Sequence, residues 1–316
     1  MTNPSHLAYG YARVRARKSR LLPSAVLAAL ATADQPALTV GAWRDLDEES
    51  DAAALASIVY ARLVSDYVVA IRAYPAAADL LRALARLHEV ENVKLAWRAV
   101  TGAVPAREWR ECWRPLGPLE RVARAACETA GSLRQLAAVM RRTPFAVIAA
   151  AVLDAHGEDL AAAEVAFDRW GSSAVVDAAR ALPRAESAAR DLAFHVVRER
   201  DVMLMARAVG PLGLAPEAAL RMTAVMAAES GPARMRRLVE HLADRSPSLT
   251  DLRRQVRVAR RLACRRAFLG NPFCLAPPIA LVMLREDEAR ALFTVAELRA
   301  RRLQAAAAAR LLNLDG

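Results

Sequence analysis

Apolar residues recur at intervals of three and four along almost the whole chain, and this spacing restricts most of the chain to helices. The clearest stripe lies between residues 51 and 74 and consists of Leu55, Ile58, Val59, Leu63, Tyr67 and Ile71. Such a stripe is typical of one face of an amphipathic helix. No segment bounded by turn residues alternates apolar and polar side chains as a half-buried strand does. The sequence therefore predicts an all-α fold.

Proline and glycine mark where the predicted helices begin and end. Pro75 suits the first turn of a helix that runs to about residue 100 and ends before Gly102. Pro118 is predicted to open another helix, and Gly157 is predicted to separate two.

Two segments, residues 75–102 and 183–210, resemble each other. Both begin with proline and end on Arg-Ala-Val and a glycine. Asn92 lies six residues before the arginine of the first copy, and Asp201 lies six residues before that of the second. A weaker third copy covers residues 284–300, where a shared Ala, Leu and Arg composition explains the likeness equally well.

This repetition predicts three similar helical units, each of ordinary domain size. Their boundaries are residues 1–112, 113–212 and 213–316.

The chain is basic, but its charge does not follow the pattern of a nucleic-acid binder. Lys and Arg number 45 against 34 Asp and Glu, which gives a net charge of +11, and Lys18 and Lys94 are the only lysines. The arginines stand among Ala and Leu at helical spacing, without the interleaved aromatic residues on which bases stack. We therefore expect no nucleic-acid partner.

Sequence signals for catalysis, cofactors and metals are missing. The chain has neither a G-x-x-x-x-G-K-[ST] nor a G-x-G-x-x-G motif, and it has no G-x-S-x-G. Its 5 His residues are dispersed without metal-ligand spacing. The sequence predicts no catalytic residues, no cofactor, no metal and no small-molecule substrate. Apolar runs are too short for a membrane span and the start does not resemble a secretory signal, so we expect a cytoplasmic location.

Arginines on a predicted helix at 249–268 form a candidate partner surface. Opposite this face the sequence places Leu252, Val256, Ala259 and Ala263. The face either attracts an acidic partner or is simply solvated. Arg98 and Arg207, at matching places in the two repeats, either line one shared surface or form a hydrogen bond to a neighbouring helix within their own repeat. The candidate interface residues are Arg98, Arg207, Arg253, Arg257, Arg261 and Arg265.

Three segments carry a resemblance to a known family. They are "YGYARVRARKSRLL" at 9–22, "EVENVKLAWRAVTG" at 89–102 and "APPIALVMLREDEARALFTVAELRA" at 276–300. In this order they resemble the C subunit of bacterial and archaeal V/A-type rotary ATPases, which is equivalent to the d subunit of eukaryotic enzymes.

The resemblance implies a non-catalytic rotor subunit on the cytoplasmic face of the membrane. In that family three helical bundles surround a pseudo-threefold axis and form a funnel. The central-stalk subunits enter the mouth of the funnel, and its base rests on the membrane proteolipid ring. The subunit therefore contacts the membrane only through the ring, and it transmits torque between the stalk and the ring. The main alternative is an unrelated helical-repeat scaffold that binds another protein along a concave face; a helical enzyme is a further one.

Overall fold

The computed structural model describes residues 4–23, 25–27, 52–209, 213–223 and 249–300, and all regular secondary structure in these ranges is helical. The all-α prediction is confirmed. The α-helices are α1 Pro4–Lys18, α2 Ala52–Ala73, α3 Ala78–Val100, α4 Ala106–Glu111, α5 Arg124–Glu128, α6 Leu133–Val139, α7 Ala146–His156, α8 Leu160–Arg180, α9 Ser187–Val209, α10 Pro216–Met222, α11 Leu249–Leu269 and α12 Ala276–Ala300. Short 3-10 turns lie at Pro75–Ala77, Gly117–Leu119 and Met140–Arg142.

Most of the predicted helix boundaries are confirmed, and one is wrong. Pro75 begins the 3-10 turn that leads into α3, and Gly102 follows α3 with a φ of 76°. Gly157 separates α7 from α8 with a φ of 53°, a region that glycine enters without strain. Pro118 does not open an α-helix, because the backbone turns extended at Glu120 and the next α-helix starts at Arg124.

One compact unit contains Met1–Leu81, Arg184–Leu192 and Arg254–Gly316. Within it α1 and α2 both pack against α12. Residues 275–283 of this unit are buried without interruption, and so are residues 285–289. Because successive residues of a helix step round its axis at 3.6 per turn, such runs mean that protein surrounds α12 on all sides.

The second compact unit contains Arg82–Pro183 and Ala193–Arg253. Aromatic pairs fill its core: the rings of Trp97 and Phe167 lie 5.3 Å apart edge to face, and those of Phe145 and Trp170 lie 4.8 Å apart. Gly171 lets α8 approach α3 closely, since a Cβ added there would lie 3.0 Å from Val90 Cγ2.

The two helices that carry the clearest sequence repeat have the same length. Helices α3 and α9 contain 23 residues each, and Asn92 and Asp201 occupy the same place along them. Both side chains are buried, with 0% and 4% of their surface exposed. The boundaries at 112/113 and 212/213 stay a prediction.

Candidate partner interface

The four candidate arginines of α11 differ in their surroundings. Arg265 is exposed, whereas Arg257 and Arg261 are half-buried. Arg261 Nε lies 3.5 Å from a carboxylate oxygen of Asp287, so this arginine already has an anionic neighbour in its own chain. The side chain of Arg253 lies outside the described residues.

The predicted division of α11 into an arginine face and an apolar face is wrong at two positions. Arg260 is fully buried and pairs with Asp287 of α12, while Ala259, predicted for the opposite face, is exposed. The buried stripe instead runs through Arg260, Cys264 and Phe268, which are spaced by four residues. A charged side chain takes an interior position here because an acidic residue on the neighbouring helix compensates it.

Arg98 and Arg207 occur in different environments despite their matching places in the repeat. Arg98 Nε donates a hydrogen bond to Glu164 on α8, and its side chain is 37% exposed. The hydrogen bond goes to a neighbouring helix, but it is not internal to the repeat, because Glu164 lies in the second predicted unit. Arg207 is exposed in the last turn of α9 and forms no ion pair with any residue in the described ranges. That either arginine contacts a partner stays a prediction.

The first and third family-like segments meet around Asp66 of α2. Asp66 accepts hydrogen bonds from Arg17 Nη1 at 2.6 Å and from Arg285 Nε at 2.7 Å. Arg285 also pairs with Glu288, and Glu288 Oε1 accepts a 2.6 Å hydrogen bond from the backbone N–H of Leu22. We call this set the Asp66 network, and it joins α1, α2 and α12.

Four consecutive charged residues of α12, numbers 285 to 288, are buried, and each has a partner. Among them Glu286 accepts a 2.6 Å hydrogen bond from the hydroxyl of Tyr67. Burial raises the pKa of Tyr67 well above its ordinary value, and the nearby Glu286 carboxylate raises it further, so the hydroxyl keeps its proton.

The second family-like segment contributes to a closed arrangement of four charges. Lys94 lies 3.0 Å from Glu91 and 2.9 Å from Asp168, and Arg200 lies 3.1 Å and 2.6 Å from the same two carboxylates. Each cation therefore contacts both anions. This four-charge ring links α3, α8 and α9.

Two other side chains of the same segment hold the loop that follows α4. Asn92 Nδ2 donates to the carbonyl oxygen of Arg114 at 2.8 Å, and the N–H of Arg114 donates back to Asn92 Oδ1 at 2.9 Å. Glu89 accepts hydrogen bonds from the backbone N–H groups of Arg121 and Val122. Burial raises the pKa of Glu89, although these two amides and Arg86 oppose the increase.

These arrangements can brace helices, because each combines opposite charges or satisfies a backbone group in a largely dry environment. The described residues contain no group of three or more His, Cys, Asp or Glu side chains that could hold a metal. Sequence reasoning missed Asp66, Glu164, Asp168 and Arg200. A signal existed for Asp66, since it is the one acidic residue of helix α2. The other three lie on mixed helix faces and give no comparable signal.

The described helices, with the ion pairs and hydrogen bonds between them, define an all-helical protein. The family model described as ATP synthase (C/AC39) subunit matches residues 11–194. The chain therefore belongs to this family, which comprises the C and d subunits of V/A-type ATPases and is non-catalytic. The match includes most of the first family-like segment and all of the second, and the third lies outside it. No curated protein matches the chain.

Family membership favours an ATPase subunit over an unrelated helical-repeat scaffold. Within the part of the chain that the structure describes, no helix has the length and hydropathy required to span a membrane.

Proposed function

We propose that the chain is a non-catalytic rotor subunit of a V/A-type rotary ATPase. It couples the central-stalk subunits to the membrane proteolipid ring on the cytoplasmic face and transmits torque during ATP-driven ion transport or ATP synthesis. The observation that carries this proposal is the family match over residues 11–194.

The buried charges support a mechanical role. A part that transmits torque has to resist shear between its helices, and close-packed interiors transmit strain. Sliding α3 past α8 would separate Lys94 from Asp168 and Arg98 from Glu164. Separating the buried Lys94 from its partner is costly, so that pair opposes such movement, and the more exposed Arg98 pair adds a smaller resistance.

The proposed arrangement is a funnel of three similar bundles about a pseudo-threefold axis, with the stalk at the mouth and the ring at the base. The equal lengths of α3 and α9 support the repeat on which this arrangement depends. Among the candidate arginines whose side chains the structure describes, Arg207 and Arg265 are exposed. The Arg207 guanidinium presents several donors to the carboxylates of an acidic partner.

Co-expression tests the proposal directly. The full chain would be produced with the stalk and ring subunits, and the complex would be isolated through a tag on the ring. We expect the chain to co-purify with both partners, and we expect Arg207→Glu to reduce the recovered amount. Arg134→Glu, an equal charge reversal at an exposed position of the same unit, is the matched control.

Failure of the unmodified chain to bind either partner would overturn the coupling role. If the Arg207→Glu and Arg134→Glu variants were recovered in equal amounts, Arg207 would not be part of the interface. Circular dichroism of each variant checks that helicity is retained.

A further inference from the structure

Exposed large apolar side chains cluster near the end of α11. Five such side chains are exposed in the described ranges, and three of them, Leu262, Leu269 and Phe273, fall within one short stretch. Leu269 is 85% exposed and Phe273 is 51% exposed. Single exposed apolar residues are common on protein surfaces, but a local concentration of protruding ones marks a contact surface.

The backbone that carries these side chains is held in place. Asn271 Oδ1 accepts a 2.9 Å hydrogen bond from the N–H of Phe273, which fixes the turn between α11 and α12. Helix α1 supports the same corner: the Tyr11 hydroxyl donates to the carbonyl oxygen of Phe268 at 3.3 Å, and Lys18 Nζ lies 4.6 Å from the centre of the Phe268 ring.

The corner is also strongly basic. Arg265 and Arg266 are exposed beside the apolar side chains. No acidic residue occurs between Asp251 and Glu286, and none precedes Asp34 in the segment that contains α1. The acids of α12 that face α11, such as Asp287, are buried and paired, so they do not neutralise the exposed arginines. The half-buried Glu186 also lies at this corner, where its carboxylate accepts a 2.8 Å hydrogen bond from the N–H of Leu275, and the two exposed arginines outnumber it.

We propose that this apolar-basic corner, formed by Leu262, Leu269, Phe273, Arg265 and Arg266, binds an anionic lipid surface directly. Leu269 and Phe273 enter the interface between headgroups and acyl chains, and the two arginines lie among the anionic headgroups. The coupling role involves the membrane only through the ring, so this contact goes beyond that role and does not rest on it.

A lipid surface fits the corner better than a folded protein does. A stable protein interface buries about 800 Å² on each partner with close complementarity. The most exposed apolar side chains of the corner protrude where a helix ends, Leu269 from the last residue of α11 and Phe273 from the turn that follows. A bilayer deforms around such side chains, and its negative surface potential complements the charge of a segment without acids.

Co-sedimentation of the full chain with vesicles tests this inference. One set of vesicles contains phosphatidylcholine alone, and the other contains phosphatidylcholine mixed with phosphatidylserine. We expect binding to the anionic vesicles only. Replacing both apolar side chains, Leu269→Ser with Phe273→Ser, should abolish most of it although the charge is unchanged. Val147→Ser, at a side chain that is 81% exposed in the other compact unit, should have no effect.

A second comparison tests whether vesicle binding depends on the arginines of this corner or on the net positive charge of the whole chain. Arg265→Gln with Arg266→Gln should weaken binding by about fivefold for each arginine removed near the surface. Arg141→Gln with Arg142→Gln makes the same charge change at two exposed positions of the other unit, and it should weaken binding much less.

The inference is overturned if anionic vesicles do not bind the chain, or if both arginine pairs have equal effects and the apolar pair has none. It is also overturned if the Leu269 and Phe273 variant still binds vesicles but no longer co-purifies with the ring, because the corner would then be a protein contact. The assay contains no other ATPase subunit, so a failure of the chain to bind vesicles would not contradict the proposed coupling role.

Discussion

Arg260 of α11 and Asp287 of α12 form an ion pair whose side chains are 1% and 5% exposed. Such a pair holds two helices in one register, but each of its members is costly to bury alone. We predict that Asp287→Leu lowers the free energy of unfolding by about 3–5 kcal/mol, because it removes the carboxylate that pairs with the buried Arg260. Arg260→Met should cost less, because Arg261 Nε still lies 3.5 Å from Asp287. Urea denaturation followed by circular dichroism measures the change.

The double variant Arg260→Met with Asp287→Leu provides the control for that pair. Because it removes both charges, it should recover most of the loss. Arg265→Met, at an exposed position of the same helix, should change stability by less than about 0.5 kcal/mol. A double variant no more stable than the Asp287→Leu variant would show that side-chain packing, and not the charge pairing, explains the loss.

Asn92 satisfies both backbone groups of Arg114, so its removal should loosen the loop after α4. Asn92→Ala leaves an N–H and a carbonyl without their partner, and we expect a loss of about 2–4 kcal/mol in unfolding free energy. Amide hydrogen exchange at Arg114 should accelerate at the same time. Gln135→Ala removes an exposed side-chain to backbone bond and should have little effect on either measurement. Unchanged exchange at Arg114 in the Asn92→Ala variant would contradict the bracing role.

The four-charge ring should make the chain sensitive to acid. Burial by itself raises the pKa of Glu91, but Lys94, Arg200 and Arg114 outweigh burial and hold the pKa well below its ordinary value of 4.5. The folded state then binds fewer protons than the unfolded state, so the stabilisation is complete above pH 4.5 and is lost as the pH falls further.

Unfolding free energy measured from neutral to acidic pH tests this dependence. We expect Glu91→Gln to flatten the decline below pH 4.5, and Arg200→Met to flatten it as well by removing one of the cations. If the two variants show the same decline as the unmodified chain, Glu91 does not contribute to acid sensitivity.

Gly171 allows α8 to lie close to α3, so even a methyl group should be harmful there. The Cβ of an alanine would lie 3.0 Å from Val90 Cγ2 and 3.2 Å from Leu87 Cδ2. We predict that Gly171→Ala lowers unfolding free energy by about 1–3 kcal/mol, although alanine favours helix more than glycine does. The same change in a Val90→Ala background should be less harmful, because Val90 provides the closest atom. Equal losses in both backgrounds would exclude this clash as the cause.

Helix positions were predictable because apolar spacing, proline and glycine act locally. Helix α2 was predicted from the stripe at 51–74 and is observed at Ala52–Ala73. The prediction at Pro118 was wrong because proline fits a 3-10 turn as well as the first turn of an α-helix. The extended backbone at Glu120 ends the 3-10 turn, so no α-helix follows directly. That choice depends on Glu89, which is distant in sequence and holds the following turn.

The buried charges were not predictable, because a pattern of residue types does not say which charges have partners. Arginine normally lies on the surface, so the arginines of the 249–268 helix suggested a solvated or partner-binding face. Their partners come from other helices: Tyr67 is 219 residues from Glu286, and Asp66 is 219 residues from Arg285. The family-like segments were recognised from their order, and the structure adds that their polar side chains brace helices.

Helix α12 is enclosed by α1, α2 and α11, yet it is the last of the described helices to leave the ribosome. Chain synthesis proceeds residue by residue, and segments fold as soon as their own contacts exist. Until α12 has been synthesised, the apolar surfaces of α1 and α2 that pack against it lack their partner. Residues 82–183 can fold against one another before that point. The packing of α1 and α2 in this unit is therefore completed only after α12 has been translated.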